Sequence, residues 1–89
     1  MREIVITSQF EKGIKRVEKR GWDMRKMAAI IIQLEEGDLQ DKQYNDHPLK
    51  GSYIGLRERH LVPDWLLIYK ADKKQVLLFA TGSHADLFE

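Results

Sequence analysis

The 89-residue chain carries 15 lysines and arginines against 14 aspartates and glutamates, and 43% of its residues are hydrophobic. That length limits it to one small domain, residues 1–89, with one modest core, and the composition excludes a disordered polymer. The chain has no cysteine; disulfide frameworks, thiolate zinc fingers and cysteine nucleophiles are therefore excluded, and a reducing, cytoplasmic setting is the simplest expectation.

The opening Glu3-Ile4-Val5-Ile6-Thr7 is β-branched and predicts a strand. Ser8 and Glu11 have capping-box spacing, so a helix is expected from about Gln9 to Gly21, with Phe10, Ile14 and Val17 on its apolar face. Lys12, Lys15, Arg16, Lys19 and Arg20 crowd the remainder of that helix. Residues 2–26 hold eight cationic side chains against four anionic ones, although the net charge of the whole chain is only +1. Asp23 is placed to cap a second helix with the stripe Met24, Met27, Ile31 and Leu34, widened by Ala28 and Ile30 and stopped by a left-handed Gly37. The apolar run Met27 to Leu34 is too short to cross a bilayer, and the chain opens without a signal-peptide layout, so no membrane role is expected.

Asp38 to Lys50 reads as a polar connecting loop around His47-Pro48. Three β-prone runs follow, at Tyr53 to Leu61, Trp65 to Lys70 and Val76 to Thr81, and predict an antiparallel meander; His84 to Phe88 is left as a short tail. The continuous Trp65-Leu66-Leu67-Ile68-Tyr69 suits a central strand buried on both faces. The order β-α-α-β-β-β predicts an α+β fold, a mainly antiparallel sheet under an N-terminal helix hairpin.

Every histidine, His47, His60 and His84, lies at a loop or strand end, as does Asp64. Imidazole exchanges protons near neutrality, and a nearby carboxylate fixes its tautomer. Such a set suits RNA cleavage, which needs a base for the ribose 2′-hydroxyl, an acid for the leaving 5′-oxygen and positive charge for the phosphorane. The same residue types are ordinary zinc ligands, but they follow no recognised zinc spacing. Arg57 and Arg59 fall on one side of a regular strand and His60 on the other, so a shared site demands a bend near His60. Phe88 is either a core plug or a platform for a base.

Three blocks, Asp46-His47-Pro48-Leu49-Lys50-Gly51, Arg57-Glu58-Arg59-His60-Leu61-Val62-Pro63-Asp64-Trp65-Leu66-Leu67-Ile68-Tyr69 and Thr81-Gly82-Ser83-His84-Ala85-Asp86-Leu87-Phe88, resemble in order and spacing the YafQ branch of the RelE/ParE toxin superfamily. The resemblance spans almost the whole chain. It implies a RelE-like fold and a ribosome-dependent mRNA endoribonuclease of a type II toxin-antitoxin system, acting in the 30S A site without metal or cofactor. It also implies a DinJ-like antitoxin partner in a hetero-oligomeric complex. On this resemblance His47, His60, Asp64 and His84 take the catalytic places, with His84 and His47 moving protons, Asp64 orienting them and His60 positioning the scissile group. Arg57, Arg59, Lys50 and Phe88 take substrate-binding places, and the basic first helix (Lys12, Lys15, Arg16, Lys19, Arg20) is the candidate ribosome contact. One departure stands out: many relatives carry arginine where this chain has Ala80. The loss of that charge implies reduced activity and keeps open an inactive, antitoxin-binding member; a ParE-like gyrase inhibitor is disfavoured by the histidine set.

Overall fold

The computed structural model of the chain describes residues 1–37 and 47–88. Its elements are β1 (Glu3–Ile6), α1 (Ser8–Lys19), α2 (Met24–Glu36), β2 (His47–Pro48), β3 (Arg57–Val62), β4 (Trp65–Ala71), β5 (Gln75–Gly82) and α3 (His84–Phe88). Among the described residues the strands form one sheet in the order β1-β5-β4-β3-β2. β1 runs parallel to β5, with Glu3 beside Gln75 and Ile6 beside Leu78, and the remaining pairs are antiparallel. The expected meander is therefore completed by the first strand into a mixed α+β sheet.

β4 is central, and Trp65, Leu66, Leu67, Ile68 and Tyr69 are all at most 1% exposed. Its odd-numbered residues Trp65, Leu67 and Tyr69 pack with Phe10 and Val17 of α1, Met27, Ile30 and Leu34 of α2, and Val76 and Leu78 of β5. Burying each such large apolar side chain contributes roughly 1.5–3 kcal/mol. The buried stripe of α2 is centred on Met27, Ile30 and Leu34, with Ile31 only half-buried and Ala28 exposed, a small rotation from the expected stripe.

Local signals differ from expectation in instructive ways. The cap of α1 is Thr7, not Ser8: its Oγ1 accepts from the Phe10 N–H at 3.0 Å and donates to the Phe79 carbonyl at 2.6 Å, so the cap is also a tie to β5. Asp23 caps α2 as expected, accepting from the Arg25 N–H at 3.0 Å. Gly37 follows α2 with φ −94°, not left-handed, and glycine is needed there because a Cβ would lie 2.6 Å from the Gln33 carbonyl oxygen. Gly13, unremarked in the sequence, is where α1 meets β5 most closely; a Cβ there would stand 2.4 Å from the Thr81 carbonyl oxygen.

The second half shows three further corrections. His47–Pro48, read as loop, forms the short edge strand β2; the rest of the expected loop, 38–46, lies outside the described residues. The run expected to begin a strand at Tyr53 instead makes a helical turn at Gly51–Tyr53, and β3 starts at Arg57. The expected tail after Gly82 is the helix α3. No described helix is long and apolar enough to cross a membrane.

Candidate active site

In a sheet, residues directly opposite one another on neighbouring strands share a face. His47 pairs with Glu58, Glu58 with Ile68 and Ile68 with Ala80, while His60 pairs with Leu66 and Leu66 with Gly82. These residues alternate with Leu67 and Tyr69, which face the helices, so they occupy the opposite face. Arg57 and Arg59 pair with Tyr69 and Leu67 and belong to the helix side.

Two expectations are corrected by this register. Arg59 is fully buried, donates to Gln33 Oε1 of α2 and lies 5.4 Å from the Tyr69 ring centroid. The pleat turns it beneath α2, so it is a core arginine and not a phosphate contact. Arg57 is half-buried and on the same side as Arg59, so the register gives it no place beside the histidines. The irregularity demanded near His60 does exist, as a register shift between His60 and Val62. It falls after His60 and leaves both arginines on the helix side.

The three imidazoles converge in a row on the face opposite the helices α1 and α2. The ring centroids of His47 and His60 are 6.2 Å apart, those of His60 and His84 6.0 Å, and those of His84 and Phe88 6.2 Å. Phe88 is 42% exposed and meets the Tyr53 ring edge-on at 5.6 Å, so it borders the row as an aromatic platform instead of plugging the core. Tyr53, missed in the sequence, also packs edge-on against Phe79 at 6.3 Å and donates its hydroxyl proton to the Leu87 carbonyl at 3.2 Å. It supports the helix that carries His84 and Phe88.

Each end of the row has its own carboxylate. Glu58, whose side chain is 7% exposed, places Oε1 at 2.9 Å from His60 Nε2 and 3.7 Å from His47 Nε2. An ionised carboxylate only accepts, so His60 presents Nε2–H to it. Glu58 was missed in the sequence, although the two-residue strand period places it beside His60. At the other end, Asp64 Oδ1 accepts from the His84 backbone N–H at 3.0 Å and lies 2.9 Å from His84 Nδ1. Those two contacts, the backbone one first, hold the Asp64 carboxyl below the usual carboxylate range. With Nδ1–H directed at Asp64, His84 keeps Nε2 for proton transfer.

His47, Glu58 and His60 each offer a ligand atom, and these atoms lie within 4.8 Å of one another. This group, with Glu58 rather than Asp64 as its carboxylate, could hold a divalent ion. Lys50 is exposed just before the Gly51–Tyr53 turn, and Lys12, Lys15, Arg16 and Lys19 are exposed along α1. Arg20 is different: it makes a two-pronged ion pair with Asp86, at 2.7 and 2.9 Å, so its guanidinium is engaged within the molecule while its side chain stays 39% exposed.

A family model described as the bacterial toxin of type II toxin-antitoxin systems, YafQ, matches residues 2–89. The mRNA interferase toxin YafQ of Escherichia coli strain K12 is 41% identical over 88 residues, covering 98% of this chain and 96% of that protein. The crystal structure of YafQ from E. coli strain BL21(DE3) is similar with a TM-score of 0.91 at 39% identity and complete coverage of both chains. A crystal structure of the E. coli DinJ-YafQ toxin-antitoxin complex gives 0.89 at 40% identity, covering 99% of this chain and 98% of that one. By sequence and by fold, the chain belongs to the YafQ family of bacterial type II toxin-antitoxin toxins.

Proposed function

We propose that this chain is an mRNA interferase: a single-domain, cytoplasmic endoribonuclease that cuts messages in the 30S A site of translating ribosomes and is held in check by a DinJ-like antitoxin. The observation that carries the reading is the row of imidazoles, whose outer rings flank His60 at about one ring spacing each. A ribose-phosphate junction laid over His60 has a proton carrier on either side.

The chemistry follows from that placement. At one end His47, beside Glu58, takes the 2′-hydroxyl proton, and the 2′-oxygen attacks the adjacent phosphorus. At the other end His84 Nε2 delivers a proton to the 5′-oxygen as the P–O5′ bond breaks, leaving a 2′,3′-cyclic phosphate and a 5′-hydroxyl. His60, anchored on Glu58, directs the phosphate, and Asp64 holds the ring of His84 in the tautomer the acid step needs. Phe88, braced edge-on by Tyr53, is the platform against which a base stacks, and Lys50 with the exposed cations of α1 grips RNA phosphates.

Mapping transcript 5′ ends in cells after induction tests the proposal. Cuts within translated codons are expected with the chain as it stands and are expected to vanish for His84→Ala. Cuts in untranslated RNA at equal frequency would reject ribosome dependence. One observation favours a second reading: Ala80, 1% exposed on the histidine face, leaves that position of the site without a guanidinium. Antitoxin binding with no mapped cuts would make the chain an antitoxin-titrating member of the family.

A further inference from the structure

We propose that Arg20 and Asp86 are positioning residues for His84, setting where its imidazole stands without touching the RNA. This rests on the reading of His84 as a proton-transfer group. α3 spans only His84–Phe88, far below the roughly 12–15 residues at which a helix holds itself in water. Its position is therefore set by what it is tied to.

Asp86 is the centre of those ties. Its Oδ2 accepts from the Ser83 N–H at 2.8 Å while its own N–H donates to Ser83 Oγ at 3.1 Å, a reciprocal cap closed on the residue before His84. Both carboxylate oxygens also receive the Arg20 guanidinium, at 2.7 and 2.9 Å. Gly82 makes room for this: a Cβ there would lie 2.8 Å from both Asp86 Cβ and Oδ2.

Arg20 is itself fixed. It is the C-cap residue of α1 and lies 5.5 Å from the Trp22 ring centroid; Trp22 packs on Trp65 at 5.2 Å, and Trp65 Nε1 donates to Thr81 Oγ1 at 3.0 Å. The contacts run in a closed circuit from Thr81 through Ser83, Asp86, Arg20, Trp22 and Trp65 back to Thr81. His84 hangs from that circuit.

Asp64 also touches His84, but its side chain is 69% exposed, whereas that of Asp86 is 11% exposed. A two-pronged ion pair on a carboxylate that is itself largely buried restrains better than the contacts of one oxygen of an exposed carboxylate. Asp64 thus selects the tautomer of His84, and the Arg20–Asp86 pair sets its position.

The test uses the full chain, with Arg20→Met, Asp86→Asn and Arg20→Lys variants released from their antitoxin. Arg20→Met and Asp86→Asn are expected to lower kcat for message cleavage by about 10- to 100-fold while KM changes little, because a displaced proton donor costs turnover and not binding. Arg20→Lys, which keeps the charge, is expected to recover part of that loss. In proton NMR the His84 imidazole resonances should move in the first two variants while those of His47 and His60 stay in place. A fall in melting temperature with kcat and the His84 resonances unchanged overturns the proposal, as does a loss of kcat without any movement at His84. His84→Ala separates the two levels. If it leaves cleavage intact, the reading of the site fails; if it abolishes cleavage while Arg20→Met and Asp86→Asn do not lower kcat, the positioning proposal alone fails.

Discussion

Two imidazoles of the histidine row, His60 and His84, each meet a carboxylate, in opposite surroundings. On β3, Glu58 and His60 come from one strand, two residues apart, and the carboxylate is 7% exposed. At the α3 end, Asp64 and His84 come from separate turns, and their side chains are 69% and 54% exposed. A buried carboxylate loses water that only a hydrogen-bond donor replaces, so the Glu58–His60 contact is costly to break on either side. The exposed pair is screened by water and salt and holds mainly through the His84 backbone N–H. The Glu58–His60 pair is held by burial, whereas the Asp64–His84 pair stands open to solvent and substrate.

The largest effect expected from dividing the row is at the ring itself. His84→Ala should lower cleavage by about 10²- to 10⁴-fold, the range for a lost general acid, with circular dichroism unchanged. Adding charge at the opposite side of the face is the next test. Ala80→Arg should raise cleavage and growth arrest, by up to about 10²-fold if the guanidinium reaches the phosphorane; unchanged toxicity would rule out a missing cation at this position. The two carboxylates should then separate clearly. Glu58→Gln is expected to lower kcat by about tenfold or more and to do so equally at low and high salt. Asp64→Asn should have a smaller effect that shrinks further as salt rises, because the amide oxygen still accepts from the His84 N–H. Equal effects and equal salt dependence would erase the distinction.

The smallest effect is expected in acid. Arg20, ahead of the Ser83 amide and against the cost of burial, holds the Asp86 carboxyl well below the usual carboxylate range. A depressed carboxyl contributes stability that is fully present above its unfolded value of about 3.9 and is lost as pH falls through the folded value. The melting temperatures of the parent chain and Asp86→Asn should therefore differ at pH 6 and converge toward pH 2. A constant gap would show that Asp86 acts without its charge.

How much of this was legible in the sequence depends on the range of the interaction that decides it. The continuous apolar run Trp65–Tyr69 and the Asp23 cap are local signals, and both hold in the structure. The three imidazoles were legible as a chemical set, and their convergence comes from strand pairing that no local pattern encodes. Glu58 was within reach, since the two-residue strand period that turned Arg59 away from His60 puts Glu58 beside it. Arg20 was not: on α1 it looks like another solvated cation, and only the return of α3 gives it Asp86 as a partner. The Thr7 cap was missed for a similar reason, because its hydroxyl is also tied to the Phe79 carbonyl, 72 residues away.

The parallel seating of β1 against β5 bears on how the molecule comes into being. Glu3–Ile6 has no sheet neighbour until Gln75–Gly82 has been made, and His84 follows that strand. The β1–β5 pairing is a contact between segments far apart in sequence, the kind whose closure entropy slows folding. A chain stopped before Gln75 lacks both the strand that seats β1 and His84, so the sheet and the histidine row are completed together.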